Sequence, residues 1–320
     1  MSTAGRCAHL AGAVLVLAGC GRQAEPPSGP PAGAAAPAAQ RMRIADGAPR
    51  IAHAPDRVHI DYRVYGQGEP LIVLIHGWSG DASYWRAQVA DLSRTYTVVT
   101  PNLAGHGASG RNRASWSIEA FGDDVAAVLA ELPEGPVVLV GHAMGGVVAL
   151  ETARRAPTRV IGIVGVEAFD DIGAPRRAGA EAAAAARVAR LREDYIGTVR
   201  ELVSQQYFAP DANPAFARSI ADDIALAPPE VAIASLIAMD RYDYGPALAE
   251  LPAPLVAILS SLRGAPDIAR IRSQVPGFRA EIMRGRGHFL MMEDPAGFNA
   301  LLRREVDAFV AATPGAVAVQ

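Results

Sequence analysis

Residues 137–146 read VVLVGHAMGG, and this stretch decides the fold. The first four are apolar and follow Pro136, which predicts a buried strand, while residues 147–156, closed by Pro157, predict a helix. Glycines at 141 and 145 suit a sharp, strained turn between the two, because the neighbouring backbone packs closely there. Strand, turn and helix together form a nucleophile elbow, which points its central side chain out at the top of a sheet. That central residue is Ala143, which has no oxygen to attack with.

This elbow resembles that of the α/β-hydrolase family, in which Gly-His-Ser-Met-Gly-Gly is a common form of the motif. Five of the six positions match at 141–146, and Ala143 replaces the serine. The resemblance implies an α/β fold: a doubly wound, mostly parallel sheet with flanking helices and an inserted helical cap.

Strands and helices alternate along the chain in the same way. Continuous apolar runs at 71–75, 160–166 and 254–259 predict buried strands, and the helical patterns between strands favour a parallel sheet. From about 175 to 251 no comparable strand signal occurs, and helical stretches are predicted at 179–206, 214–226 and 228–239 instead. We therefore expect one folded domain at 51–320, with the cap at about 170–251.

The N-terminus has the pattern of a bacterial lipoprotein. Arg6 and an apolar run at 8–18 predict a signal peptide at 1–19, with an apolar start to the first domain as the alternative. Leu17-Ala18-Gly19-Cys20 resembles a lipobox, which implies that Cys20 is lipidated. Residues 20–50 are rich in Pro, Ala and Gly and predict a disordered tether. The expected location is the bacterial cell envelope, anchored by lipid to the outer membrane and facing the periplasm.

Composition excludes several classes of chemistry. The formal charge is −3 over 320 residues, without a basic run interleaved with aromatics, so we do not expect a nucleic-acid partner. All thirty basic residues are arginine, which excludes Schiff-base lysines and the P-loop lysine. The glycines at 105, 107 and 110 match a dinucleotide fingerprint in spacing but do not open an apolar helix, so no cofactor is expected, and no metal.

The resemblance also assigns the remaining catalytic positions. The order in this fold is nucleophile, acid, base, and His288, flanked by glycine after the last strand, occupies the position of the base. Counting from the strand that ends at 259 puts Ser261 in the position of the acid, which leaves that position vacated. Some family members take the acid from the end of the preceding core strand, where this chain has Glu167. Both assignments of the acid stay open at this point.

An oxyanion hole is implied by the same comparison. The family forms it from a backbone N–H after the 71–75 strand and the N–H that follows the nucleophile, here those of Trp78 and Met144. We expect Trp78, Met144 and Phe169 to line the substrate pocket. His76, just before this loop, is interpreted as a buried histidine that holds the loop through backbone hydrogen bonds, with direct catalysis as the alternative.

Three functions are compatible with these residues. The chain could bind a small acyl or ester-like ligand without turnover. It could be a hydrolase or lyase in which His288, with Glu167, activates water or the substrate directly, since some carbamate- or aminoacrylate-processing family members resemble it in carrying alanine at the elbow. It could also be a Ser-to-Ala variant of an active carboxylic-ester hydrolase.

Overall fold

The computed structural model describes residues 47–262 and 264–313, which form one sheet with helices on both sides. The predicted signal peptide, Cys20 and nearly all of the predicted tether lie outside the described residues. Eight strands pair in the order β1-β2-β4-β3-β5-β6-β7-β8. Their bounds are Arg50–His53, His59–Tyr65, Leu71–Ile75, Thr97–Pro101, Val137–His142, Val160–Val166, Leu255–Ser260 and Arg279–Met283 for β1 to β8.

The helices follow the strands along the chain. A short 3-10 turn at Ala82–Trp85 precedes the first of them. The bounds of α1 to α11 are Arg86–Leu92, Ile118–Ala130, Met144–Arg155, Ala180–Glu193, Tyr195–Gln206, Pro214–Ile224, Pro229–Arg241, Tyr244–Ala249, Ile268–Gln274, Leu290–Glu293 and Pro295–Ala312.

The sheet is parallel from β4 to β8, and only β1 and β2 run antiparallel to their neighbours. Every residue of β3, β4 and β5 is buried, as expected for central strands covered on both faces by helices. The predicted fold class is therefore confirmed. The carboxyl ends of β3, β5 and β6 meet at one edge of the sheet, which is where ligands bind in open α/β folds.

The helical insertion lies between β6 and β7 and comprises α4 to α8. Residues 179–206, predicted as one helical stretch, form two helices that meet at Asp194. The carboxylate of Asp194 accepts a hydrogen bond from the backbone N–H of Gly197 and so caps α5. A cap of this kind stabilises a new helix start, which the apolar periodicity alone does not reveal.

The strand β1 was not predicted. Arg50–His53 pairs antiparallel with β2, and the carbonyl of Gly47 accepts a hydrogen bond from Arg63 at 2.7 Å, so the end of the predicted tether contacts the sheet. In an edge strand of four residues, the alternation of apolar and polar side chains is too short to identify the strand from sequence. Such a strand is stable only when it pairs with a neighbouring strand. No helix within 47–262 or 264–313 is long and apolar enough to span a bilayer.

Candidate active site

The turn between β5 and α3 keeps the geometry of a nucleophile elbow. Ala143 has φ 48° and ψ −113°, a conformation that costs a residue with a Cβ about 1–3 kcal/mol and persists only where the surroundings impose it. The two glycines impose it by close approach: a Cβ on Gly145 would lie 2.4 Å from the carbonyl oxygen of Ile75, and one on Gly141 would lie 2.0 Å from that of Gly145. The strained turn is thus present although the central side chain is a methyl group.

Glu167 and His288 meet beside this elbow. Glu167 directly follows β6, and its Oε2 lies 3.2 Å from Nδ1 of His288. The backbone N–H of Ser260, at the end of β7, donates to the other carboxylate oxygen. Both side chains of the pair are buried, at 3% and 6% exposure. The carboxylate is therefore fixed from two sides, with one oxygen directed at the imidazole.

The structure places Ser261 away from this pair. Its side chain is exposed, and its hydroxyl accepts a hydrogen bond from the backbone N–H of Gly285 at 3.2 Å. Of the two candidate positions for the acid, it is Glu167 that contacts the imidazole of His288.

The loop that carries His288 is held by hydrogen bonds to its backbone. The carboxylate of Glu293 accepts from the N–H groups of Gly287 and Phe289 at 2.8 and 3.2 Å, and burial raises its pKa. The carbonyl of His288 lies 2.9 Å from Nε2 of His142, and because a carbonyl only accepts, that nitrogen carries the proton. These contacts fix the position of His288 at the wall of the pocket.

Trp78 and Met144, the residues expected to form the oxyanion hole, lie close to Ala143 and His288 at the same cavity. Met144 is the first residue of α3, where backbone N–H groups and the helix dipole favour negative charge. Trp78 lies in the loop after β3, and its indole Nε1–H donates to the carbonyl of Ala232 in α7 at 2.7 Å. Both residues line the cavity that Ala143 and His288 also line.

This cavity has a volume of about 820 Å³ and lies between the sheet edge and the cap. All of the predicted pocket residues border it, including Phe169, whose ring packs against Gly165. Sequence reasoning missed the cap side chains because a helical pattern does not say which face meets the sheet. The cap residues that line the cavity include Tyr207, Ile224, Leu236, Met239, Tyr242 and Tyr244.

The charge around the cavity is predominantly negative. Five carboxylates line it against one guanidinium, that of Arg176. Asp171 accepts a hydrogen bond from Tyr244 at 2.9 Å, and Asp240 pairs with Arg187 at 2.6 Å. Within the part of the chain that the structure describes, no group of three or more His, Cys, Asp or Glu residues is arranged to hold a metal ion.

His76 holds the loop after β3 through backbone hydrogen bonds, as expected from the sequence. It is fully buried, its Nε2 accepts from the backbone N–H of Leu103 at 3.0 Å, and its Nδ1 donates to the carbonyl of Gly77. The ring of His106 lies 5.0 Å away. Burial lowers the pKa of His76 to about 4 and that of His106 to about 3, so both are neutral at neutral pH.

Acid is expected to destabilise the protein through this histidine pair. An unfolded histidine has a pKa of about 6.5. Between that pH and about 4 the unfolded state therefore binds protons that the folded state does not, and the free energy of unfolding falls as the pH falls, by on the order of 3 kcal/mol for each histidine. Urea unfolding from pH 7 to 4 measures this. His106→Gln should reduce the dependence, whereas His53→Gln, at an exposed position of β1, should not; equal dependence in all three proteins would contradict the assignment.

Comparison with known proteins gives the family. The model of the alpha/beta hydrolase family matches residues 72–301, more than half of the chain, and the chain belongs to this family. A thermophilic esterase from Thermogutta terrifontis, solved with malate bound, superposes with a TM-score of 0.71 at 23% identity over 82% of this chain and 99% of that one. At that identity the likeness supports the fold alone.

Sequence relatives include esterases. A pimeloyl-[acyl-carrier protein] methyl ester esterase from Methylococcus capsulatus is 32% identical over 201 residues, which are 61% of this chain and 76% of that protein. A putative carbamate hydrolase from Azorhizobium caulinodans is 37% identical over 109 residues, 34% of this chain and 40% of that protein. The chain spans about a third, 31%, of the length of the mycobacterial relatives that it matches.

Proposed function

We propose that this protein is a hydrolase in which the Glu167–His288 pair activates water directly, so that an ester or related bond is cleaved without an acyl-enzyme. The observation that carries the proposal is the buried contact of 3.2 Å between Glu167 and His288, next to an elbow whose central residue is Ala143. A carboxylate at Nδ1 sets the tautomer in which the opposite ring nitrogen, Nε2, is a base. The site thus retains an oriented base and lacks only the protein nucleophile.

The proposed reaction proceeds in two steps. His288 takes a proton from water at Nε2 as the water oxygen attacks the carbonyl carbon, and the carbonyl π electrons move to the oxygen. The N–H groups of Trp78 and Met144 stabilise this oxyanion. The tetrahedral intermediate then collapses, the bond to the leaving group breaks, and the proton on Nε2 passes to the leaving oxygen or nitrogen. The products are the acid and the alcohol or amine, and the histidine is neutral again.

The names of two relatives support the proposal that the bond cleaved is an ester or a related bond. Two of them are named for ester and carbamate hydrolysis, and both reactions place negative charge on a carbonyl oxygen in the transition state. An ordinary serine-esterase mechanism is not available to the chain as it stands, because Ala143 supplies no hydroxyl.

Binding of an acyl or ester-like ligand without turnover is the second candidate. It is favoured by Ala143 itself, since loss of the nucleophile costs on the order of 10⁶ in kcat in subtilisin, and by a cavity large enough for a drug-sized ligand. The two candidates differ in one observable. Only the hydrolase requires His288 to accept a proton and release it again in each turnover.

Turnover by the parent protein tests the proposal. We expect slow hydrolysis of short esters or carbamates that persists after fluorophosphonate treatment and falls by roughly 10² to 10⁴ in His288→Ala. Neutral and cationic substrates should be preferred over dicarboxylic half-esters, because the cavity is lined by five carboxylates and one guanidinium. Intact mass during turnover should show no acylated protein. Ligand binding measured by calorimetry, without any product, would support the second candidate. Turnover that is unchanged in His288→Ala would contradict the proposed mechanism.

A further inference from the structure

We infer that β8, at one end of the sheet, pairs antiparallel with the β8 of a second copy of this chain, so that the two sheets become continuous. The strand pairs with β7 on one side, and no other strand of the described residues pairs with its free side. A free edge offers a row of backbone N–H and C=O groups to another strand. None of the residues of β8 lines the cavity, so this pairing does not depend on the proposed function.

The free edge of β8 is regular and open. All five residues, Arg279–Met283, pair with β7 in one register without a bulge, and the strand contains no proline. Gly277 and Gly285 flank the strand, and a Cβ on either of them would have no other atom within 4 Å. A second strand could therefore approach along the whole edge.

The two charged residues of β8 point to the same face of the sheet. Arg279 pairs with Glu305 of α11 at 2.7 Å, and Glu281 pairs with Arg304 of the same helix at 2.9 Å. This agrees with their spacing, because residues two apart in a strand share a face. The side chains of Arg279 and Glu281 are still 47% and 37% exposed, so each can contact a second charge of opposite sign.

This pair of charges selects one register for two identical strands. A two-fold axis at Ala280 places Arg279 opposite the second copy's Glu281, and Glu281 opposite the second copy's Arg279. An axis at 279 would place two arginines opposite each other, and an axis at 281 would place two glutamates opposite each other, which is destabilising. Charges on an edge strand commonly prevent pairing. Here they oppose the other registers and favour the register about Ala280.

The opposite face of the joined strands would be apolar. With the axis at Ala280, the methyl groups of the two Ala280 residues lie opposite each other. Ile282 lies opposite the second copy's Phe278, the residue that directly precedes β8. Ile282 is 38% exposed in the single chain, so the pairing removes apolar surface from water.

Cross-linking of the full chain tests both the pairing and its register. Ala280→Cys places a thiol at the axis, where opposite Cβ atoms are about 4.5–5.5 Å apart, so a mild oxidant should give a disulfide-linked dimer on a denaturing gel. Ile282→Cys is the matched control, because its two thiols would be roughly 13 Å apart along the strands. The cysteines at 7 and 20 are present in both variants and cannot cause a difference between them.

Sedimentation of the full chain tests the charges without an added thiol. The parent chain should be a dimer, and Glu281→Arg should raise its dissociation constant by roughly tenfold to a hundredfold, because two arginines then lie opposite each other at both positions. An unchanged far-UV CD spectrum checks the fold of the variant. Glu201→Arg is the matched control, since Glu201 is also a partly exposed partner of an arginine, Arg190, but belongs to the cap. It should remain as dimeric as the parent.

Any of four results would overturn the inference. They are a monomeric parent chain, the absence of a cross-link in Ala280→Cys, equal cross-linking of Ala280→Cys and Ile282→Cys, and a folded Glu281→Arg protein as dimeric as the parent. A parent chain that becomes dimeric only when residues 314–320 are deleted would also overturn it, because the C-terminal segment and not a second copy would then cover the edge.

Discussion

Ala143→Ser is expected to react covalently with a fluorophosphonate, whereas the parent protein does not. The backbone at Ala143 already has the strained conformation of the elbow, and the Cβ borders the cavity that His288 lines. A hydroxyl added to that Cβ would be next to the proposed base, His288, and to the proposed oxyanion N–H groups of Trp78 and Met144. Because a nucleophile contributes on the order of 10⁶ to kcat in subtilisin, we also expect a large gain in ester hydrolysis. Intact mass and a chromogenic acetate ester measure the two effects.

Two further variants test whether His288 and Glu167 activate the introduced serine. Ala143→Ser combined with His288→Ala should lose the reactivity, since an unassisted serine is a weak nucleophile. Ser261→Asp in the Ala143→Ser background should give no gain, because Glu167 already occupies Nδ1 of His288. Failure of Ala143→Ser to label, in a folded protein, would show that the elbow does not present its side chain to the base. A gain from Ser261→Asp would return the acid to that position.

Glu167→Gln is expected to lower turnover of the parent protein by up to about 10⁴, the size of the corresponding loss in a serine protease. The amide can still accept the N–H of Ser260 through its oxygen, but its NH₂ group then faces Nδ1 of His288. Only the tautomer with the proton on Nε2 satisfies that contact, and a protonated Nε2 cannot take a proton from water. The defect should therefore appear in kcat rather than in folding.

Comparison with another buried glutamate separates chemistry from stability. Glu305, in α11, is buried and pairs with Arg279 at 2.7 Å, and it does not line the cavity. Glu305→Gln should lower the free energy of unfolding and leave kcat almost unchanged. Equal losses of kcat in the two variants would contradict a catalytic role for Glu167, as would full activity of Glu167→Gln.

The elements around the elbow could be predicted from sequence because their signals are local. Apolar runs of four to seven residues define β3, β5 and β6, and glycine is required at 141 and 145 because a Cβ there would clash with nearby backbone. Ser117, of a residue type that favours N-caps, precedes α2, and its hydroxyl accepts from the N–H of Ala120. His288 was assigned to the position of the base by the family resemblance, from its place after the last strand. In each instance a few consecutive residues carry the information.

The contacts that complete the site are not local and could not be predicted. Glu167 and His288 are 121 positions apart, and the carboxylate reaches the imidazole only because β6, β7 and β8 lie side by side in the sheet. The same holds for the cap side chains that line the cavity, because a helical pattern does not show which face of a cap helix turns toward the sheet. The helix boundary at Asp194 and the strand β1 were not predicted, because neither depends on periodicity. The first depends on a side-chain cap and the second on pairing with β2.

The methyl group of Ala143 also limits what the site can do with an acyl group. An enzyme that forms an ester with its own serine can pass the acyl group to any acceptor that reaches the intermediate, including alcohols and amines, and shows ping-pong kinetics. No such intermediate can form on a methyl group. Under the proposed direct attack by water, no acyl-enzyme exists that could be partitioned between water and an added alcohol, and the initial rate has no burst. Under the proposed mechanism, the substrate and the attacking water must therefore be bound in the pocket at the same time.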